Sequence, residues 1–201
     1  MNPFELCRDD GPVARALGAT VGRSVRLPSI TLLALGTLPL LLVIAIDGTD
    51  ASNAAAGVVV GWLVVAGGAS RGRPHTDSLR WAIPPSLRLA EYATVLWLGA
   101  LAGGSGPAPA FALLAVLAFR HYDLWYRLRF LGVGPPGWVG DAAGGWEGRL
   151  LAGYVLLVAG ALPAGFFVGA GLLGALFVGE GISGWTRAGV TLEHANEGVE
   201  E

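Results

Sequence analysis

The residues that could do chemistry gather in the middle of this 201-residue chain, where Arg120-His121-Tyr122-Asp123-Leu124-Trp125-Tyr126-Arg127-Leu128-Arg129 follows an apolar run. On a helix, Arg120, Asp123 and Arg127 stand at i, i+3 and i+7, so Asp123 can pair with both arginines, while Tyr122, Tyr126 and Arg129 make an adjacent stripe. Arg88 and Glu91 repeat the i, i+3 theme earlier, with Trp81 and Tyr92 close in sequence. Guanidinium groups that converge bind phosphate through paired hydrogen bonds. Arg88, Arg120, Arg127 and Arg149, with Tyr122, Tyr126 and Trp146, are therefore the candidate substrate-binding residues. Asp123, Glu91 and His121 are the candidate catalytic ones. Magnesium bridging a phosphate to Asp123 or Glu91 is a cofactor compatible with these residue types, although no spacing demands it. His121 is a candidate general base or, alternatively, a structural hydrogen-bonding residue. The aromatic and basic residues also suit a simpler role as interfacial anchors, which explains Arg127 and Arg129 but not the carboxylates of Glu91 and Asp123.

The elements that must position these residues are apolar helices. The chain is 53% hydrophobic and 14% charged, with a mean hydropathy of +0.58, too apolar for a soluble domain of this size. The expected fold is all-α, a polytopic membrane bundle of six spans at about 30–46, 54–69, 87–102, 110–131, 146–162 and 164–180. Pro163 and Gly165 break the last apolar stretch into a hairpin, and five spans result if it is instead one kinked helix. Residues 1–29 form an N-terminal segment without the pattern of a cleaved signal, and 183–201 an acidic, solvated tail. The fourth span holds only ten uncharged residues, Ala110 to Phe119, before Arg120, and no helix breaker follows until Gly132. The helix therefore continues and carries its charges into the bilayer, where they must be paired or face a watery cavity. A polar chamber between spans three and four is expected, bordered by the glycine-rich segments 134–138 and 141–149.

Twelve of the thirteen arginines fall on one side of this map, before span one, between spans two and three, and between four and five. The turns at 47–53 and 103–109 contain none. The excess of arginine places the N-terminus and the large loops in the cytoplasm and the chain in the plasma membrane, with membrane lipid as its partner and no nucleic acid. Cys7 is the sole cysteine, so no intrachain disulfide or cysteine-based metal cluster forms.

Asp10-Gly11-Pro12-Val13-Ala14-Arg15 resembles the middle of the motif of CDP-alcohol phosphotransferases, six-span enzymes that move a phosphoalcohol group from a CDP-linked donor. The family's further aspartates fall on Cys7, Pro28 and Leu32, and its glycine on Ser24. A longer resemblance, carried by 80–92, 120–127 and 144–149, is to an actinobacterial membrane domain of unknown function found beside nucleotidyltransferase and CDP-alcohol phosphotransferase segments. That resemblance implies either as a partner, and assembly of phospholipid or related lipids as the setting. The expected function is to bind a phosphate-bearing lipid or nucleotide-linked precursor, with phosphoalcohol transfer as the activity if the chain is an enzyme. A substrate-presenting or structural subunit is the alternative, and a small transporter or flippase another. The last needs a polar path through outer halves that hold almost only apolar and small residues.

Overall fold

The computed structural model describes residues 7–72 and 79–197, with the side chains of 80 and 188–197 left aside. Arg73, His75, Asp77, Glu200 and Glu201 lie outside the described residues, as do the side chains of Arg80, Glu193 and Glu197. Among the described residues all regular structure is helical: α1 (Pro12–Ala19), α2 (Val21–Ser24), α3 (Ser29–Ile46), α4 (Asn53–Ala69), α5 (Ile83–Leu101), α6 (Pro107–Phe130), α7 (Gly137–Ala142), α8 (Gly145–Val158) and α9 (Leu162–Glu197).

Local chemistry explains the boundaries. The Ser52 hydroxyl accepts from the Ala55 amide at 3.2 Å and caps α4. α5 begins at Ile83, ahead of the expected start near Leu87, because Pro84 and Pro85 occupy its first turn, where a missing N–H costs no helical bond. α6 runs unbroken through the charged stretch to Phe130, with Leu131 as its C-cap and then Gly132 at φ +65°, a left-handed position that suits glycine. The turn between α8 and α9 sits at 159–161 around Gly160 (φ +67°), so Pro163 lies in the first turn of α9 and not at the break. The segment expected to be a solvated tail from 183 onward is helical as far as Glu197, an extension of α9.

α9 packs along α6, α3 along α4, and α8 sits against α4 and α5, while α1 lies across α4. Leu63, Leu87, Leu98, Leu117, Leu150 and Trp146 are fully buried between them. Leu41, Val58, Phe111, Val155 and Leu172 point outward with more than half of each side chain exposed. An apolar exterior on several helices suits a lipid environment. Three helical stretches, Ser29–Ile46, Asn53–Gly72 and Leu162–Arg187, are long and apolar enough to cross a membrane. α5 and α6 have the length but carry charges. α8, with 14 residues, is about 21 Å long against a hydrocarbon core of about 30 Å.

Candidate functional site

The densest polar cluster is built where the N-terminal segment meets α4, α5 and α8. Asp9 adopts φ +52°, a left-handed backbone uncommon outside glycine, and its carbonyl accepts from the Trp146 amide at 3.2 Å. Its carboxylate takes a 2.9 Å bond from Arg149 Nη2. Burial opposes the Asp9 charge, but Arg149 and Arg88 outweigh burial and hold its carboxyl below the usual aspartate range. Asp10 is enclosed by donors: Arg8 Nε at 2.7 Å, Arg71 Nη1 at 3.1 Å and the Trp146 indole N–H at 2.8 Å. Glu91, fully buried in α5, is clamped between Arg88 Nη1 at 2.8 Å and Arg149 Nε at 2.7 Å. Glu147 accepts from the amides of Gly11 (3.1 Å) and Ala14 (2.9 Å), so a side chain from α8 satisfies the free N–H groups at the start of α1.

A second network joins α6 to α9. Arg120 donates to Glu180 at 3.1 Å, and Arg127 reaches both Glu180 oxygens at 2.8 and 2.6 Å. Arg127 also pairs with Asp123 at 2.6 Å, and Asp123 accepts from the Trp185 indole at 2.9 Å. The Arg120 guanidinium lies 5.0 Å from the centre of the Phe177 ring. All four charged side chains are buried.

The expected chamber thus resolves into two ion networks, with Glu91 in one and Asp123 in the other. Arg88, Arg120 and Arg127 border three different cavities. Arg120 lines a polar cavity of about 170 Å³ together with Asp9, Asp10, Arg15 and Arg71, under a cover made by Pro135, Pro136 and Gly137. Arg88 and His121 line an apolar groove of about 360 Å³ whose walls include Trp81, Pro84, Pro85 and Trp125. Leu124 borders both. Arg127 lines a third cavity with Glu180 and Arg187. Tyr122 and Tyr126 pack against each other at a tilt of 33°, ring centres 4.3 Å apart, and face a cleft between α6 and α9 with Trp185. Trp146 and Arg149 are buried and hold the N-terminal cluster together. His121 Nδ1 is 2.5 Å from the Tyr92 hydroxyl.

A family model for a family of unknown function, DUF5941, matches residues 4–201, nearly the whole chain. The chain belongs to the DUF5941 family. No curated protein and no solved structure matches it.

Sequence reasoning about this DUF5941 chain put the arginine chamber on spans three and four and missed the contribution of the N-terminal segment. Arg8, Asp9, Arg15 and Arg71 belong to the segments read as cytoplasmic, and nothing in their local spacing reveals that Asp9 meets Arg149 of α8, that Arg8 reaches Gly67 of α4, that Arg15 reaches Asp141 of α7, or that Arg71 returns to Asp10. Glu180 was missed too. It is the one acid between Glu147 and Glu193, set in an apolar stretch, and an ionisable residue in such a place signals a buried partner. A metal pair of the kind held by CDP-alcohol phosphotransferases does not fit the donors present. Asp9 and Asp10 are occupied by three arginines and a tryptophan N–H, and the described residues contain no group of three His, Cys, Asp or Glu side chains arranged to hold a metal.

Proposed function

We propose that the chain is a six-span membrane component of phospholipid or related lipid biosynthesis that binds a phosphate-bearing lipid or nucleotide-linked precursor in the cavity lined by Arg15, Arg71 and Arg120. The cavity is the observation that carries this reading. It is bordered by three guanidinium groups, and its two carboxylates already have cationic partners: Asp9 holds Arg149, and Asp10 holds Arg8 and Arg71. Arg120 Nε is buried with no protein partner, a donor left over for a ligand oxygen. The arginine distribution supports a cytoplasmic opening and a cytoplasmic N-terminus in the plasma membrane. α5, α6 and α8 then complete the bundle, with their charges turned inward on one another and away from lipid. A CDP-alcohol phosphotransferase or a nucleotidyltransferase is the proposed partner, which supplies or consumes the precursor.

One observation favours a presenting subunit over a phosphoalcohol transferase. The motif carboxylate Asp10 accepts from three donors and serves as an anchor, leaving it poorly placed to activate an acceptor or bind a metal. Titration of the purified protein with cytidine diphosphate and, separately, with phosphatidate in mixed micelles tests the site. Arg120→Gln and Arg71→Gln should each weaken the phosphate-bearing probe by about ten- to a hundredfold, the value of a charge-assisted hydrogen bond. Equal binding by wild type and both variants would remove the cavity from consideration. Turnover of a CDP-linked lipid by wild type would establish a transferase, and binding without turnover a presenting subunit.

A further inference from the structure

The apolar groove beside the phosphate cavity has a polar floor, and the protein leaves that floor unfinished. His121 Nδ1 is engaged by the Tyr92 hydroxyl at 2.5 Å, which fixes the ring and leaves Nε2 as its other hydrogen-bonding atom. That Nε2 is buried and has no protein partner. Arg88 spends Nη1 on Glu91 and Nη2 on the Cys7 carbonyl, and its Nε–H is likewise buried and unpaired. Both side chains line the same groove, whose remaining walls are tryptophan, proline, leucine and Cys7. The large majority of buried polar atoms in a folded protein find partners, so two orphans on side chains that line one apolar groove point to an occupant that brings oxygen atoms to them.

We infer that the groove binds a membrane alcohol of the acylglycerol type, its hydroxyl on His121 Nε2, a neighbouring ester carbonyl on Arg88 Nε–H, and its acyl chain between Trp81 and Trp125. Three features select this chemistry. Arg88 Nε–H can only donate, which calls for an acceptor such as an ester carbonyl. His121 Nε2 donates or accepts according to the tautomer set by Tyr92, and a hydroxyl answers either state. The walls reject a second charge, because beyond Arg88 and His121 they offer apolar surface, including Trp81 and Trp125, each more than half exposed. Leu124 is the shared partition, so an alcohol here lies on the opposite face of one side chain from the cavity proposed for phosphate. The inference deepens that proposal by naming the lipid class that meets the phosphate-bearing precursor, and it depends on the proposal for its place in lipid assembly but not for its geometry.

The test compares a dioleoylglycerol with its O-methyl ether, identical in tail and esters but lacking the hydroxyl proton and carrying an added methyl group. Each is titrated into the full chain in nanodiscs, and bound lipid is counted by native mass spectrometry. Wild type should bind the alcohol at least tenfold more tightly than the ether. His121→Phe should abolish that preference while leaving cytidine diphosphate binding intact, and Tyr92→Phe should reduce the preference by freeing the imidazole. Arg120→Gln should do the reverse, losing the nucleotide and keeping the preference, which separates failure of the phosphate site from failure of this one. Equal binding of alcohol and ether by wild type, a comparison that needs no variant to fold, would overturn the inference. So would a preference that survives in a folded His121→Phe protein.

Discussion

Asp9 combines a left-handed backbone, a buried carboxylate and a bond to Arg149, so three demands converge on one side chain. Burial alone opposes its charge, and the guanidinium groups of Arg149 and Arg88 more than compensate, depressing its pKa in the folded protein. A carboxyl depressed in the folded state contributes stability above its unfolded pKa, about 3.9 for aspartate, and loses it as pH falls through the lower folded value. The unfolding temperature should therefore be insensitive to pH near neutrality and fall below about pH 4, as Asp9 takes up its proton. Asp9→Asn should flatten that acid limb and lower stability at pH 7 by about 3 kcal/mol, because Arg149 keeps Glu91 but loses its second anion. Thermal unfolding in detergent across pH 3 to 8 measures both effects, and an acid limb of unchanged depth in the variant would exclude Asp9 as its source. Pairs such as Arg88 with Glu91 and Asp123 with Arg127 were legible in the sequence because helix geometry alone brings i, i+3 and i+4 together. Arg149 with Glu91 and Arg120 with Glu180 were not. They lie 58 and 60 residues apart, and only the packing of α8 on α5 and of α9 on α6 joins them.

Among the elements, α4 and α8 approach each other at a point where side-chain volume is the limit. A Cβ on Gly67 would come within 2.6 Å of the Trp146 ring, and that same indole donates to Asp10 on its other edge. Gly67→Ala should therefore push Trp146 off Asp10, costing about 1–3 kcal/mol through overpacking. Gly61→Ala, on the same helix with open space around its Cβ, should be neutral or slightly stabilising. Unfolding of the two variants side by side checks this, and equal stabilities would show that the α4–α8 contact can relax without loss. The long elements were readable from composition and from their breakers: the expected span 110–131 falls on α6, Pro107–Phe130, because nothing interrupts it before Gly132. α1 and α7 were not, since neither is fixed by its own residues. Glu147 caps α1 from 136 residues away, and Arg15 of α1 ties down Asp141 of α7.

For the molecule as a whole, one face collects the N-terminal cluster, the cover at 135–137 and the cytoplasmic end proposed for α6, while the opposite face has the short turns 47–52 and 102–106. α9, with 36 residues, is about 54 Å long, enough to cross a core of about 30 Å and still project beyond it. α8 is too short to cross alone. In the proposed six-span topology α7 and the glycine turn before it add depth, and the α8–α9 turn at Gly160 lies on the far side. The proposed topology, six crossings with a cytoplasmic N-terminus, predicts a labelling pattern. In a Cys7→Ala background, Thr49→Cys, Ser105→Cys and Gly160→Cys should react with a membrane-impermeant maleimide in intact cells, whereas Trp138→Cys should react only after permeabilisation. Protection of the residue 160 probe would make α8 a re-entrant element and leave five crossings. Labelling of Trp138→Cys in intact cells would put the arginine-lined cavity on the outer face, away from any cytoplasmic nucleotide-linked precursor, and the proposed role would fall with the topology.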